Sequence, residues 1–172
     1  MNEQDKLINY TVWTKGKRLL GSANVTLPNI EPMTTTISGA GLGGEIETAT
    51  SGHYKSMEAE IEWRTVTADV LSLDSPETQD LVFMMAQQGI NGDNGKRTYN
   101  GVRVEMRVMP KKTQMGKLKV SDVVGTTSTF EVLILKIEVD GKEARYIDKI
   151  HYIDRINGVD YLQEVRTLLG LN

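Results

Sequence analysis

Three glycines, Gly39, Gly41 and Gly44, follow the spacing G-x-G-x-x-G within residues 37–47. Loops with this spacing bind the pyrophosphate of a dinucleotide when a buried strand precedes them and a helix N-terminus follows. Here residues 29–36 are rich in threonine and broken by a proline, and the residues after the loop alternate between polar and apolar. The sequence therefore favours a flexible or tightly turning loop followed by an extended segment, and we expect no cofactor.

A row of carboxylates, Glu58, Glu60 and Glu62, alternates with the apolar residues of segment 57–63. Alternation with a period of two places the three carboxylates on one face of a strand. Such a row could suggest glycoside hydrolysis or Mg²⁺ binding, but catalytic carboxylate pairs usually come from different strands, with one group desolvated. The pattern favours a solvated or channel-facing surface.

Other chemistry has little support in the sequence. The chain has no cysteine and two histidines, His53 and His151, and nothing in the pattern brings them together with carboxylates as metal binding requires. No serine stands in the sequence context of an activated nucleophile. Segment 110–117 is locally basic, which is typical of a solvated hairpin tip and, less often, of a surface that faces a partner. We expect a protein that is not an enzyme and holds no metal.

Most of the secondary structure that the sequence predicts around these candidate residues is β-strand. Residues 8–14 and 19–27 predict a first hairpin, and segments 57–63 and 102–108 alternate most cleanly. Segment 130–139 predicts a more buried strand, followed by a turn at Asp140-Gly141 and a returning strand over 144–156. Residues 91–95 predict a turn-rich loop. The pattern indicates a mainly β protein, an antiparallel sandwich or barrel.

Two helices are expected within this pattern. Asp74-Ser75-Pro76-Glu77 carries the residues that favour a helix start, and Leu81, Val82, Met85 and Ala86 would form its apolar stripe, which predicts a packed helix over 75–89. A short C-terminal helix is predicted within 159–170, with Gly170 at its end.

The 172 residues and their formal charge of −3 suit a single domain, 1–172, without the basic footprint of a protein that grips nucleic acid. No segment resembles a secretory signal or a membrane span. Residues 29–55 form a long excursion, and the contacts within it would not offset the conformational entropy lost when it becomes ordered. We therefore expect this excursion to order against a neighbouring subunit, by edge pairing or packing.

The C-terminal third resembles the major tail tube proteins of contractile-tailed bacteriophages, a family shared with phage-tail-like bacteriocins. The resemblance rests on residues 140–143, Ile147-Asp148, the motif Asn157-Gly158-Val159-Asp160, and Arg166. It extends more loosely to Val25-Thr26-Leu27-Pro28, the glycine-rich loop, the 57–63 strand and the helix expected near Ser75.

The resemblance implies a β-sandwich-like subunit that forms homohexameric rings stacked into a hollow tube inside a contractile sheath. Tape-measure protein and DNA would occupy the lumen without sequence-specific binding, and baseplate and tail-terminator proteins would meet the tube ends. It also implies a virion component, assembled in the host cytoplasm, that acts as a conduit for genome ejection.

Two groups of residues acquire expected roles from this resemblance. The long loop would reach a neighbouring subunit and the adjacent ring through Gly39, Gly41, Leu42, Gly43, Gly44 and Glu45. Glu58, Glu60 and Glu62 are the candidate lumen face, where an acidic surface would repel DNA phosphates, although Arg64, Arg103 and Arg107 would partly neutralise a shared face. The alternatives are a tube subunit of a DNA-free contractile injection particle or bacteriocin, a monomeric ligand-binding β-sandwich, and a small glycosidase-like enzyme.

Overall fold

The computed structural model describes residues 2–19 and 21–171. Within them the chain forms antiparallel strands and two short helices, α1 (Ala68–Leu71) and α2 (Gln163–Leu168), with a 3-10 turn at Ser72–Asp74. The strands are β1 (Asn2–Thr14), β2 (Lys17–Leu19), β3 (Ser22–Thr26), β4 (Pro32–Ile37), β5 (Ile46–Tyr54), β6 (Glu58–Trp63), β7 (Gln79–Asn91), β8 (Arg97–Gln114), β9 (Thr126–Val139), β10 (Lys142–Asp148), β11 (Ile153–Ile156) and β12 (Val159–Asp160). None of the helices in this part of the chain is long and apolar enough to cross a membrane.

The long β8–β9 hairpin joins two layers of one continuous antiparallel sheet. The first half of β8 pairs with β7 and with the second half of β9, and this layer extends through β10, β11 and β12 on one side and β1 and β2 on the other. The second half of β8 pairs with the first half of β9, which pairs with β6, and β6 pairs with β3. Irregular register at Arg107/Val108 and Pro110/Lys112 marks the change between layers.

One hydrophobic core lies between the layers and accounts for the alternation in the sequence. Its largest fully buried side chains are Trp63 of β6, Phe83 of β7 and Phe130 of β9. Met57, Ala59, Ile61 and Trp63 are all buried, as predicted, while the glutamates between them point away. The predicted strand over 102–108 is also confirmed, with Val104, Met106 and Val108 in the core.

The predicted helix over 75–89 is wrong, because most of this segment is strand β7. Leu81 and Phe83 are buried and Met84 is exposed, so the segment alternates with a period of two. The alternation is hidden in the sequence because apolar residues occupy both faces. The packed helical turn lies just upstream. The Thr67 side chain caps α1, and Val70 of α1 is buried.

Other predicted boundaries need correction. The returning strand over 144–156 is two strands, β10 and β11, joined by a turn at residues 149–152, so His151 lies in that turn. The basic segment 110–117 is strand as far as Gln114. The C-terminal helix is confined to Gln163–Leu168, because Val159–Asp160 pair with β11 instead. The return of the first hairpin pairs with β1 over Lys17–Leu19 within the residues that the structure describes, and β3 pairs with β6.

The long loop expected over 29–55 is largely a regular hairpin. β4 and β5 pair with each other as a separate two-stranded sheet, and the glycine-rich residues form its tip. The extended segment predicted after the glycines is confirmed as β5. We call residues 27–55 the arm.

Two isoleucines offer a matched test of this division between core and arm. Ile61 is 0% exposed and Ile37 in the arm is 50% exposed. Ile61→Ala should lower the free energy of unfolding by about 2–5 kcal/mol, since it leaves a cavity. Ile37→Ala should change it by less than about 0.5 kcal/mol. Urea unfolding of the unassembled subunit measures both, and equal losses would contradict this placement of the core.

Candidate functional site

The arm presents apolar and acidic side chains to solvent. Every residue from 29 to 47 is exposed, and so is Leu27. The apolar residues without cover are Leu27, Ile30, Met33, Ile37, Leu42 and Ile46. Residues 27–54 contain Glu31, Glu45 and Glu47 and no lysine or arginine. An isolated two-stranded hairpin is marginal in water, so this surface is suited to burial against another chain.

The glycine-rich tip is a turn between two strands. The Leu42 amide donates to the Gly39 carbonyl over 3.2 Å, and Gly41 adopts φ +94°. A Cβ atom at Gly39, Gly41, Gly43 or Gly44 would meet nothing within 4 Å. The glycines therefore permit the bend and do not serve close packing within the subunit. Strand β5 follows directly, so no helix N-terminus aims its amides at this loop.

A partly buried polar cluster anchors the base of the arm to the body. The Tyr54 hydroxyl donates to the Asp154 carboxylate on β11, and Arg145 on β10 donates to both residues, with 2.7 Å between its Nη2 and the Tyr54 oxygen. Burial and the hydrogen bond to Asp154 raise the pKa of Tyr54. Gly52 lies against Leu162, whose Cδ1 would be 2.6 Å from an added Cβ. The base of the arm is therefore fixed, while the rest extends from the body.

The four-stranded layer β3–β6–β9–β8 carries the candidate lumen residues on its polar face. Cross-strand rows run through all four strands: one is Thr26, Glu60, Thr129 and Lys112, and the next is Asn24, Glu62, Thr127 and Gln114. The row between them, Val25, Ile61, Ser128 and Thr113, has the opposite orientation, with Ile61 and Ser128 buried. Glu58, Glu60 and Glu62 thus share one surface directed away from the core.

Lysines offset part of the acidity of this face. Lys111 pairs with Glu58, and Lys149 pairs with Glu131 at 2.8 Å. Burial raises the pKa of Glu131, but hydrogen bonds from Lys149 and Ser56 outweigh it, so the pKa is lowered and the group stays ionised.

Two of the three arginines expected to neutralise the lumen face, Arg103 and Arg107, lie elsewhere. Arg103 and Arg107 lie on the first half of β8, in the other layer, where they pair with Glu105 and Asp80. Arg64 follows the end of β6, and its amide donates to Gly21.

The two histidines lie close in space but contact different groups. His53 at the arm base makes an edge contact with the Tyr152 ring, with 5.8 Å between ring centroids. His151 Nδ1 lies 2.7 Å from the buried carboxylate of Asp148. Among residues 2–19 and 21–171, no group of three or more His, Asp or Glu side chains is arranged to hold a metal ion.

The C-terminal motif Asn157-Gly158-Val159-Asp160 is a turn and an anchor. Asn157 and Gly158 adopt φ +50° and +82°, a tight turn for which Asn-Gly is the favoured pair. Asp160 accepts from the Leu162 amide at 3.0 Å and from Arg166 Nη2 at 2.6 Å. Arg166 also donates to the Tyr152 carbonyl, so one arginine ties α2 to both turns.

Comparison with known proteins identifies the family of this chain. The family profile of phage tail tube protein FII matches residues 4–170. The chain belongs to this tail tube family. The tail tube protein of Escherichia phage P2 is 27% identical over 175 residues and 96% of both chains.

Solved structures share the fold. One is described as the sheath/tube terminator of an extracellular contractile injection system, at a TM-score of 0.53 and 11% identity, covering 76% of this chain and 94% of that one. A second, described as a sheath-tube complex of the same system, has a TM-score of 0.52 and 11% identity over 75% and 87% of the two chains. The mainly antiparallel β fold of a tube protein, expected from the sequence, is confirmed. The family match and the phage P2 relative confirm the resemblance expected from the sequence. Tail tube proteins are structural components of virions.

The sequence alone did not reveal the arm anchor of this tail tube protein. Arg145 and Asp154 lie on two adjacent strands of the C-terminal third, but Tyr54 is about 90 residues earlier in the chain, and no spacing links it to them. A weak signal existed, because Arg145 and Asp154 are charged residues within segments that otherwise read as partly buried strands.

The Asp160–Arg166 pair predicts a pH dependence of stability. The hydrogen bond from Arg166 lowers the pKa of Asp160, so the carboxylate stabilises the fold above the ordinary aspartate pKa of about 3.9, and this contribution is lost as pH falls through the lowered value. Asp160→Asn should cost about 1 kcal/mol near pH 7, with the difference shrinking below about pH 4.

Urea unfolding of both proteins across this pH range measures the effect. Glu164→Gln, at an exposed carboxylate on α2, the helix that carries Arg166, is the control and should change stability little. A cost for Asp160→Asn that stays constant to low pH would contradict the assignment.

Proposed function

We propose that this chain is the structural subunit of the inner tube of a contractile tail, and that six copies form each ring of a stacked, hollow tube. The tube would lie inside the sheath, contain tape-measure protein and then conduct the genome on ejection. Baseplate and terminator proteins would bind its ends. Assembly would take place in the host cytoplasm, and the subunit would contribute shape and surface and no catalysis.

The observation that carries this proposal is the pair of open edges on the four-stranded layer. Within the described residues, β3 pairs only with β6, and the segment Met109–Gln114 of β8 pairs only with β9. Open strand edges favour pairing with further strands. If β3 of one copy pairs with the end of β8 of the next, the layers join into a closed barrel without edges.

The polar face of the same layer would then line the lumen. Its opposite face is committed to the core, so the face that bears Glu58, Glu60 and Glu62 points to the inside of such a barrel. Carboxylates there would repel DNA phosphates and reduce adhesion during passage. Lys111 and Lys149 moderate this potential through their ion pairs.

The exposed arm supports an assembling subunit over a monomeric ligand-binding β-sandwich. A monomer would leave its apolar side chains in water, whereas a neighbouring subunit or adjacent ring would cover them. The second candidate is a tube subunit of a DNA-free injection particle or bacteriocin, which the likeness to an extracellular contractile injection system favours. Both candidates assign the same role to the subunit.

Deleting residues 39–44 tests the role of the arm. None of these residues is buried, so the variant should fold with an unchanged melting temperature. It should not polymerise, because the shortened arm no longer reaches its neighbour. Electron microscopy of the purified protein should show rings and tubes for the wild type and neither for the deletion.

Ala40→Ser keeps the length of the tip and serves as the matched control, which should form normal tubes. Tubes of normal length from the deletion variant would contradict the role of the arm. A wild-type protein that stays monomeric and binds a small ligand would contradict the proposed function itself.

A further inference from the structure

The loop between β8 and β9, residues 115–125, is a second exposed apolar surface. Leu118 and Val120 are both 93% exposed, and Met115 and Val123 are more than half exposed. Lys117 and Lys119 alternate with these apolar residues, and Lys112 lies just before them on β8. Lys119 lies 3.3 Å from Asp122, while Lys112 and Lys117 form no ion pair with other described residues.

The backbone of this loop is held in place. The Lys117 amide donates to the Val124 carbonyl at 2.9 Å, and the Val124 amide donates to the Arg64 carbonyl at 3.2 Å. Gly116 adopts φ +84°, and a Cβ there would lie 2.0 Å from the Val124 oxygen. Leu118, Val120 and Val124 line an open, mainly apolar pocket of about 320 Å³. The side chains are therefore displayed on a defined backbone and have no cover.

The arm and the β8–β9 loop lie at opposite ends of the same four-stranded layer. The arm leaves β3 after Thr26 and re-enters just before Glu58, whereas the loop joins the strand ends beside Trp63. β6 spans the distance between the two ends, which at about 3.3 Å per residue is roughly 17 Å. The Tyr54 anchor holds the arm base at its own end. The base of the arm thus lies at the end of the layer opposite to the loop of its own chain.

The two surfaces are complementary in charge as well as apolar. Between residues 27 and 54 the arm bears Glu31, Glu45 and Glu47 without a lysine or arginine, and Lys55 at its base pairs with Glu31. The loop with its preceding strand end bears Lys111, Lys112, Lys117 and Lys119 against one Asp122, and Lys111 pairs with Glu58. Both surfaces are apolar, and they carry opposite charges, so each is suited to bind the other.

We propose that the β8–β9 loop is the receptor for the arm of a second copy of this chain. The acidic side chains near the tip, Glu45 and Glu47, would face Lys117 and Lys119, and apolar arm residues would cover Leu118 and Val120. Because donor and receptor lie at opposite ends of one layer, the contact is head-to-tail and propagates copies along the strand direction. The proposal rests on the proposed tube function and names the surface that links successive layers of it.

A charge exchange tests this pairing. Lys117→Glu/Lys119→Glu and Glu45→Lys/Glu47→Lys should each raise the protein concentration needed for polymerisation about tenfold or more, because like charges then face each other. An equimolar mixture of the two variants should polymerise, since every contact between unlike copies restores opposite charges. A single chain with all four changes should polymerise too. Light scattering and electron microscopy measure both.

Lys96→Glu/Lys142→Glu changes the net charge equally, at exposed lysines in the other layer, and should polymerise like the wild type. Normal tubes from Lys117→Glu/Lys119→Glu would overturn the proposal and leave the tube function intact. Loss of polymerisation without rescue in the mixture would also overturn it, because the loop would then contact a surface of the neighbouring copy other than the arm. A wild-type chain that never polymerises would instead contradict the tube function.

The apolar part of the contact has its own test. Leu118→Ser/Val120→Ser removes side chains that are 93% exposed, so the unfolding transition of the subunit should be unchanged. Polymerisation should again need about tenfold more protein, as expected when anchors of an interface are lost. Unchanged polymerisation would show that these residues have no partner in the tube and would overturn the proposal.

Discussion

The arm is a hairpin without a core of its own, and this constraint explains how the rest of the subunit holds it. Two strands that pair only with each other bury too little surface to offset the entropy of ordering them. The subunit fixes the arm at one point, through Tyr54, Arg145 and Asp154, and leaves the remainder exposed. Such a subunit is folded but leaves the arm uncovered, and under the proposed function the missing contacts would come from another chain.

The bent β8–β9 hairpin places the open strand edges of the subunit on one of its two layers. One half of the hairpin belongs to a layer whose strands extend on both sides, and the other half ends a four-stranded layer with open edges. One face of the four-stranded layer packs on the core through Trp63 and Phe130. In the proposed tube, lateral growth would use the open edges of this layer and axial growth would use the arm, so the two contacts would involve separate parts of the fold.

Sequence reasoning succeeded where one face of a strand is buried and the other is wet. The 57–63 segment shows this alternation and was predicted correctly, together with its buried and exposed faces. It failed over 75–89, since β7 has apolar residues such as Val82 and Met84 on its outer face and follows residues that favour a helix start. The arm was predicted as a loop because most residues of its strands are exposed on both faces and so lack a hydrophobic pattern. The anchor depends on the pairing of Tyr54 with residues about 90 positions later, which no local spacing encodes. The basic segment 110–117 gave only a weak indication of a partner-facing surface.

Amide hydrogen exchange of the arm, in the unassembled subunit and in assembled tubes, tests the central claim most directly. The account predicts that residues 32–54 exchange rapidly in the subunit while β6 and β9 are protected, and that the arm becomes strongly protected on assembly. Protection of the arm already in the isolated subunit, or an arm that stays unprotected in the tube, would contradict it.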